Sequence, residues 1–335
     1  MTLRLAISGF GRIGRMVLRA LVESGRDDVE IVLINTPGAV EASAHLYEFD
    51  SIHGRARAAV SHGDDWMDVG RGRIAMTHER DPAAIPHADH GIDVVLECSG
   101  HFNARDKAAL HLAAGARRVL VSAPCKDADA TIVHGVNHAD ITADMEVVSN
   151  ASCTTNCLAP VAKVMADSVG IEAGYMTTIH AYTGDQPTLD SSHKDMRRAR
   201  AAAMSMIPTS TGATSAVGEV LPELVGKMNG SAIRVPTANV SVVDLVVTTS
   251  HDTSLEDINQ AFRDAANGAL KGVLGLNERP LVSIDFNHDP HSSVVDLTQT
   301  NVANKRFVRV LSWYDNEWGF SCRMLDTAAA MRNYL

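Results

Sequence analysis

Residues 3–25 read LRLAISGFGRIGRMVLRALVESG, which is a short apolar strand, a glycine-rich turn and an amphipathic helix in immediate succession. The glycines at 9, 11 and 14 form the spacing G-x-G-x-x-G where the strand meets the helix. Such glycines let the backbone approach a pyrophosphate, and the helix N-terminus offers unpaired N–H groups and a positive dipole. A purely structural corner is the alternative. The pattern favours a dinucleotide site, because a second strand follows about twenty residues later.

The end of that second strand departs from the usual pattern. Residues 29–40 read VEIVLINTPGAV, so the strand is followed by Asn35, Thr36 and Pro37. Folds of this kind usually place an acid here to bind the ribose hydroxyls of NAD. The missing acid indicates either that no dinucleotide binds or that the dinucleotide differs from the default one.

The composition argues against several classes of protein. The 335-residue chain has a formal net charge of -10, which does not suit nucleic-acid binding. No stretch is long and apolar enough to span a membrane, and the first residues do not resemble a signal peptide. The five cysteines form no C-x-x-C pair. We therefore expect no metal site, no nucleic-acid or membrane partner, and a reducing cytoplasmic location.

Apolar runs and helical patterns alternate through the rest of the first half. A helix is predicted at 105–116, and the further strands are predicted at 73–79, 93–100, 118–124 and 145–150. This alternation predicts a mostly parallel sheet covered on both faces, as in a Rossmann-type domain. Ser99 and Ser122 follow strand ends, at the edge where open α/β sheets bind ligands.

The stretch SNASCTTNCLAP, residues 149–160, contains the candidate nucleophile. A strand ends at Asn150, and helical spacing begins at Cys153. A thiol in the first turn of a helix is expected to have a lowered pKa, since the dipole and free N–H groups favour the thiolate. A lone cysteine is more often a small buried hydrophobe. That alternative suits Cys98 or Cys322 better than Cys153.

A catalytic thiolate needs a base or a cationic partner. The chain has 15 histidines, and most are expected on the surface or in packing roles. His180 differs, because YMTTIHAYTGD reads as a strand that ends in small and hydroxyl residues. Sequence spacing alone does not place His180 beside Cys153.

The second half alternates long strand-like runs with two helical patterns. It predicts an antiparallel sheet with helices on one side. The last residues have helical spacing, with Asn316 as a possible N-cap.

Seven segments together resemble phosphorylating glyceraldehyde-3-phosphate dehydrogenase, of the type I form found in bacteria. They stand in that family's order between residue 8 and about residue 326: GFGRIGR, SNASCTTNCLAP, TTIHAYTGDQ, RRARAAA, IPTSTGA, RVPTANVSVVDL and SWYDNEWGFS. The resemblance implies an α/β Rossmann-type dinucleotide-binding domain, residues 1–150 with the C-terminal helix 316–335. It also implies an α+β catalytic domain with an antiparallel sheet, residues 151–315.

The resemblance assigns roles residue by residue. Cys153 would be the nucleophile that forms a hemithioacetal and then a thioester, and His180 its base. The implied cofactor-binding residues are Gly9, Gly11, Arg12, Ile13, Gly14, Thr36, Arg80, Ser122 and Asn316. The residues implied to hold the glyceraldehyde 3-phosphate substrate and inorganic phosphate are Ser152, Thr154, Thr183, Asp185, Arg198, Thr211, Gly212 and Arg234. Arg197 is the alternative to Arg198. The family also implies a homotetramer.

Three positions depart from the family's common pattern. Ser8 and Phe320 stand where many members have Asn and Tyr. Thr36 aligns with the acid that excludes NADP in NAD-specific members by like-charge repulsion. Ser191 and Ser192 stand where such members commonly carry Leu-Pro. These residues predict that NADP is accepted with NAD still usable, and they leave the preference between the two open, although no arginine lies within a few residues of Thr36.

Three other functions are open to the sequence. Erythrose-4-phosphate dehydrogenase is the nearest, and the tail around NEWGFSCRMLDT leans towards it. That relative, however, lacks the HAYTGD threonine and the TSTGA loop that are present here. A Cys–His acyl hydrolase would have no use for the glycine turn. A redox-sensing nucleotide-binding protein would leave the phosphate-binding residues unexplained.

Overall fold

A computed structural model describes residues 2–335. Its backbone contacts divide the chain into two compact units. The first contains the described residues up to Ser152 together with Ser321–Leu335, and the second is Cys153–Phe320. The sequence predicts the corresponding boundaries at 150 and 316.

The first unit is built on a nine-stranded sheet in the order β10-β11-β9-β8-β1-β2-β7-β6-β5. Its strands, with a separate β3–β4 hairpin, are β1 Leu3–Ser8, β2 Val29–Asn35, β3 Phe49–Asp50, β4 Gly54–Arg55, β5 Ser61–His62, β6 Trp66–Asp68, β7 Arg73–Thr77, β8 Val94–Glu97, β9 Arg118–Val121, β10 Ala130–Thr131 and β11 Val147–Ser149. Its helices are α1 Arg12–Ser24, α2 Val40–Glu48, α3 Arg105–Ala108 and α4 Leu110–Ala113. Short 3-10 turns span Pro82–Ala84 and His138–Asp140.

The sheet is parallel from β10 to β7, and only the β5–β6–β7 edge is antiparallel. Parallel strands are covered on both faces, so their residues are almost all apolar and buried. Every residue of β8 and β9 is buried. The chain proceeds outward from β1 in both directions, with β2 on one side and β8 on the other. The predicted Rossmann-type class is confirmed.

One predicted element differs. The single helix expected at 105–116 is interrupted at Ala109, which lies between α3 and α4. The backbone there forms hydrogen bonds between residues three apart, such as the bond from Leu112 N–H to the Ala109 carbonyl at 3.0 Å. Such three-residue spacing shifts side chains away from the α-helical face.

The second unit contains an eight-stranded sheet in the order β13-β14-β12-β15-β19-β17-β16, with β18 paired to β19. Its strands are β12 Ile171–Ala181, β13 Ile207–Thr209, β14 Met228–Val235, β15 Ser241–Thr249, β16 Leu274–Asn277, β17 Ser293–Asp296, β18 Asn301–Ala303 and β19 Phe307–Tyr314. Its helices are α5 Cys153–Val169, α6 Ala213–Val220 and α7 Leu255–Asn267, and 3-10 turns span Pro222–Leu224 and Ser283–Phe286. The last helix, α8 Trp318–Met331, begins here and ends in the first unit before a 3-10 turn at Arg332–Tyr334.

The predicted α+β class is confirmed, but the sheet is mixed. β12 pairs with β14 in parallel, as does β16 with β17, whereas the other neighbours are antiparallel. A parallel pair needs a crossover of about a dozen residues or more. The long segment 182–227 supplies one between β12 and β14. No helix among residues 2–335 is long and apolar enough to cross a membrane.

Candidate functional site

A cleft of about 420 Å³ opens in the first unit at the carboxyl ends of β1, β2 and β8. This is where the strand order reverses, the usual ligand position in open α/β sheets. Of the predicted cofactor-binding residues, Gly9, Gly11, Thr36 and Arg80 line it. The other lining residues are Ser8, Phe10, Asn35, Pro37, Glu79, Pro82, Ile85, Cys98, Ser99, His101 and Phe102.

The glycine turn is packed too closely for side chains at two of its three positions. A Cβ on Gly9 would lie 2.4 Å from the Cα of Ser99, and the φ of Gly9 is +92°. A Cβ on Gly14 would lie 2.3 Å from the Gly9 carbonyl oxygen. A Cβ on Gly11 would meet nothing within 4 Å. Gly9 and Gly14 therefore shape the turn, and Gly11 leaves open space at the cleft.

Four other predicted cofactor residues have different surroundings. Arg12 forms an ion pair with Asp50. Although burial raises the pKa of Asp50, the hydrogen bonds from Arg12 and from backbone N–H groups hold it at about 2. Ile13 is the second residue of α1, and Ser122 follows β9 with its N–H bonded to the Glu97 carbonyl at 3.0 Å. Arg12, Ile13, Gly14 and Ser122 do not line the cleft.

Thr36 and Arg80 both line the cleft. Asn35 joins the ends of β2 and β7, since its amide accepts from Glu79 N–H at 2.9 Å and donates to the Glu79 carbonyl at 2.9 Å. Thr36 is 8% exposed. Arg80 is exposed and forms no hydrogen bond or ion pair with the described residues, so its charge is available to an anion.

Behind the cleft lies a buried polar chain that sequence reasoning missed. Glu97 accepts from Ser99 N–H at 2.7 Å and contacts His111 Nε2 at 3.0 Å. His111 Nδ1 contacts His87 Nε2 at 3.0 Å. Burial, with the nearby His111, lowers the pKa of His87 to about 3. We assign the proton of the neutral His87 to Nε2, because a proton on its buried Nδ1 would have no acceptor within residues 2–335. In this assignment His87 donates to His111 Nδ1, and His111 Nε2 donates to Glu97.

In the second unit, α5 begins at Cys153, as the helical spacing predicts. The sulfur lies 3.5 Å from His180 Nε2 near the end of β12. Tertiary structure therefore pairs two residues that the sequence left unpaired. His180 Nδ1 lies 2.6 Å from the Ala181 carbonyl oxygen. We assign the proton to Nδ1, because an unprotonated nitrogen would face the carbonyl lone pairs. Nε2 is then free to accept the thiol proton.

Burial changes the expected ionisation of this pair. It raises the pKa of the Cys153 thiol, against the opposing effects of Arg234 and of hydrogen bonds from Thr154. The expected lowering at the helix N-terminus is therefore outweighed by desolvation, which the sequence does not reveal. Burial and the Arg234 charge lower the pKa of His180 to about 3. At neutral pH the imidazole is uncharged and able to accept a proton.

An arginine-rich network adjoins His180. Arg234 Nη1 lies 2.9 Å from Thr183 Oγ1 and 3.1 Å from His180 Nδ1, and Thr183 bonds to Asp185. Arg198 joins it through Asp185 at 3.1 Å. The Nε of Arg234 is buried and has no hydrogen-bond partner within residues 2–335. A buried cationic donor without a partner is costly unless a ligand supplies an acceptor.

The remaining predicted phosphate residues divide into two groups. Thr211 and Gly212 precede α6, with Gly212 as its N-cap. Ser152 and Thr154 flank Cys153. The Thr154 hydroxyl is buried and lies 2.9 Å from Tyr314 Oη, which also bonds Thr178 at 2.9 Å.

The C-terminal helix is capped by a neighbour of the expected residue. Asp315 Oδ1 accepts from the N–H groups of Glu317 and Trp318 at 2.9 and 2.8 Å. The suggestion that Asn316 is the N-cap is therefore wrong, because its side chain is engaged elsewhere. Asn316 Oδ1 accepts from Ser241 Oγ at 2.8 Å. Nothing in the sequence around Ser241 or Tyr314 signals these contacts, which join segments far apart in the chain.

The comparisons with known proteins agree with this geometry. Residues 3–105 match the family described as the glyceraldehyde 3-phosphate dehydrogenase NAD binding domain, and residues 152–316 match the C-terminal domain of the same enzyme. The chain belongs to the glyceraldehyde-3-phosphate dehydrogenase family. The family predicted from the motifs is confirmed.

Individual members of this oxidoreductase family align along the full chain. The glyceraldehyde-3-phosphate dehydrogenase of Cereibacter sphaeroides is 65% identical over 335 residues, covering 100% of both chains. That of Xanthobacter flavus is 64% identical over 99% of both chains. That of Pseudomonas aeruginosa is 55% identical over 99% of this chain and 98% of its own.

Proposed function

We propose that this protein is a phosphorylating glyceraldehyde-3-phosphate dehydrogenase. It oxidises glyceraldehyde 3-phosphate with NAD(P)+ and inorganic phosphate to 1,3-bisphosphoglycerate. The observation that carries the proposal is the Cys153–His180 pair at 3.5 Å, with Arg234 adjoining it. A nucleophile, a neutral base and an anion-binding cation in one unit suit a phosphorylated aldehyde.

Cys153 and His180 perform the covalent steps. As Sγ adds to the aldehyde carbon, His180 Nε2 accepts the thiol proton and returns it to the new oxyanion, giving a hemithioacetal. His180 then takes the hydroxyl proton while the carbon loses a hydride, which leaves a thioester on Cys153. Nicotinamide, when bound, accepts that hydride. A phosphate oxygen attacks the thioester carbon, the C–S bond breaks, and Cys153 leaves as the thiolate.

The two anions are bound by different groups. We assign the substrate phosphate to Thr183 and Arg234, whose buried Nε lacks a partner in the described chain. Asp185 links this pair to Arg198. We assign the attacking phosphate to Arg198 with Ser152, Thr154, Thr211 and Gly212. Arg198 is preferred to Arg197 because its guanidinium contacts Asp185.

The cleft of the first unit suits a dinucleotide. The backbone at Gly9 and the open space at Gly11 would receive the pyrophosphate at the start of α1, with Arg12, Ile13 and Gly14 forming that turn. Asn316 and Ser122 are assigned to the nicotinamide end.

We propose that NADP is accepted along with NAD. Thr36 offers a hydroxyl in place of a repelling carboxylate, and the exposed guanidinium of Arg80 lines the same cleft. Glu79, which also lines the cleft, opposes a 2′-phosphate. Ser191 and Ser192, both exposed in the segment 183–206, would add donors.

A cytoplasmic homotetramer completes the proposal. The segment 183–206 exposes large apolar side chains that a second copy of the chain would cover. They are Leu189, Met196, Met204 and Met206, each at least 74% exposed. No disulfide joins any of the five cysteines within residues 2–335, which agrees with a reducing compartment. Light scattering of the purified protein measures the assembly directly.

Steady-state kinetics test the proposed reaction. Glyceraldehyde 3-phosphate oxidation is measured with NAD+ and with NADP+, each with and without phosphate. Cofactor reduction that requires phosphate supports the proposed reaction. Efficient reduction of NAD+ without reduction of NADP+ would reject the proposal that NADP is accepted. Faster turnover of erythrose 4-phosphate would favour that dehydrogenase. Thioester hydrolysis without any need for nicotinamide would favour an acyl hydrolase.

A further inference from the structure

We infer that Ser241 is a positioning residue that sets the orientation of the Asn316 amide, so that Asn316 presents its NH2 group to the nicotinamide carboxamide. The inference rests on the proposed dehydrogenase function, and it concerns a residue that has no part in the covalent steps. It follows from the hydrogen bonds of two buried side chains.

The hydrogen bonds of the Ser241 side chain have defined directions. Its Oγ accepts from the backbone N–H of Ala181 at 3.0 Å, a direction that is unambiguous because an amide nitrogen only donates. Its second contact is with the Asn316 side chain at 2.8 Å. No other hydrogen bond of the Ser241 side chain is found among residues 2–335. The hydroxyl proton therefore has one available acceptor, which is Asn316 Oδ1.

The opposite orientation of the Asn316 amide would leave a buried donor without an acceptor. If Nδ2 faced Ser241, the hydroxyl would accept twice and its proton would have no acceptor. Ser241 is 1% exposed, so that unsatisfied donor would be buried. An unmet buried donor costs about 1–3 kcal/mol. Hydrogen bonds therefore run from Ala181 N–H to the Ser241 hydroxyl, and from that hydroxyl to Asn316 Oδ1. They leave Asn316 Nδ2 as the group that a ligand can contact.

The residues next to Ser241 and Asn316 support this contact. Asp315, immediately before Asn316, accepts from Asn239 Nδ2 at 2.8 Å and from His288 N–H at 2.7 Å, besides capping α8. Val240, immediately before Ser241, has a φ of +68°. A β-branched residue at positive φ is strained and persists only where its surroundings determine it. The backbone on both sides of the Ser241–Asn316 contact is therefore held in place.

A donor at Nδ2 selects for the carbonyl oxygen of the carboxamide, not for its NH2 group. These hydrogen bonds begin at the backbone N–H of Ala181. The carbonyl oxygen of the same residue accepts the hydrogen bond from His180 Nδ1. Asn316 and His180, the proposed base, are therefore both oriented through hydrogen bonds to Ala181 at the end of β12.

The test compares ligand binding in Ser241→Ala with the wild type. The dissociation constants of NAD+ and of ADP-ribose, which lacks nicotinamide, are measured by calorimetry on the full-length protein. Loss of one neutral hydrogen-bonded contact is expected to weaken NAD+ binding about fivefold. ADP-ribose binding should not change. Equal weakening of both ligands would show a general structural effect and overturn the inference.

Three further measurements make the test specific. Ser241→Thr keeps the hydroxyl and should bind NAD+ within about twofold of the wild type. Ser312→Ala removes another buried hydroxyl of the same sheet and should change neither ligand. The pH dependence of Cys153 alkylation should be the same in Ser241→Ala as in the wild type, because Cys153 and His180 keep their contacts.

The 3-acetylpyridine analogue of NAD+ tests the amide orientation itself. It retains the carbonyl oxygen and lacks the NH2 group, so Ser241→Ala should weaken it as much as NAD+. An analogue that is insensitive to the substitution would mean that Oδ1 faces the ligand, which overturns the inference. If wild-type protein binds neither NAD+ nor ADP-ribose, the proposed function fails instead.

Discussion

His180 illustrates how a single residue acquires its chemistry from its surroundings. Its Nδ1 is oriented by the Ala181 carbonyl, and its Nε2 faces Cys153. Burial and Arg234 lower its pKa to about 3, so it stays neutral across the physiological range. The neutral imidazole leaves Nε2 unprotonated and facing the Cys153 sulfur, which is the geometry that a proton acceptor needs.

Replacement of His180 by Asn should lower kcat by about a hundredfold or more, because general base catalysis commonly contributes that much. Asn is similar in size and polar, so the fold should be retained. Rapid-mixing measurement of the first NADH turnover reports the chemical step. Exposed His251 of the same unit provides the control, since His251→Asn should react like the wild type. A His180→Asn enzyme with an unchanged first turnover would remove His180 from the mechanism.

Thr36 is the residue on which cofactor choice depends. Thr36→Asp should lower kcat/KM for NADP+ by at least about tenfold, since a carboxylate repels the 2′-phosphate by more than 1.4 kcal/mol at short range. Activity with NAD+ should be maintained. Thr36→Asn is the neutral control and should keep NADP+ activity. Equal losses with both cofactors would mean that Thr36 does not face the 2′ position.

At the scale of elements, the β1–α1 turn separates two functions of glycine. A side chain at position 9 would collide with the protein backbone. A side chain at position 11 would collide only with a ligand in the cleft. Their surroundings differ enough for the two effects to be measured apart.

Gly9→Ala should destabilise the protein by about 2 kcal/mol or more, because its Cβ meets the Ser99 backbone at 2.4 Å and its φ is +92°. Gly11→Ala should cost less than about 1 kcal/mol, the range expected for an N-cap change. It should nevertheless weaken dinucleotide binding. Thermal unfolding and calorimetric titration of both variants check this. The reverse order of stabilities would contradict the structure of the turn.

The elements also show where periodicity stops being informative. The strand before Gly9, the helix after it and the start of α5 at Cys153 follow from local patterns, since apolar runs and helical spacing are local properties. The parallel pairing of β12 with β14 does not, because register and direction depend on where segment 182–227 returns the chain. Local sequence also does not distinguish Asp315 from Asn316 as the N-cap of α8, since Asp and Asn are equally good N-cap residues.

For the whole molecule, stability against acid depends on buried histidines. His87 is 1% exposed, and burial lowers its pKa from 6.5 to about 3. Between these values the unfolded chain binds more protons than the folded one, so stability rises with pH and falls on acidification. Burial lowers the pKa of His134 as well, to about 4.

His87→Gln should reduce the dependence of unfolding free energy on pH between about 6.5 and 4, by up to about 1.4 kcal/mol per pH unit. The amide can still donate to His111 Nδ1 but does not titrate. His87→Phe should flatten the curve equally while lowering stability at pH 7, since His111 loses its donor. Urea unfolding across a pH series measures both. An unchanged slope in both variants would mean that His87 is charged in the folded state.

The sequence by itself determined the Rossmann-type first half, the family, the helix that starts at Cys153 and the identity of the candidate residues. These follow from spacing, glycine content and local motifs, which are written along the chain. Tertiary structure decided that Cys153 meets His180, that desolvation raises the thiol pKa, and that Arg198 joins Asp185. It also decided that Ser241 holds the Asn316 amide. Each of these depends on distance and burial between segments far apart in the chain, and no local pattern encodes them.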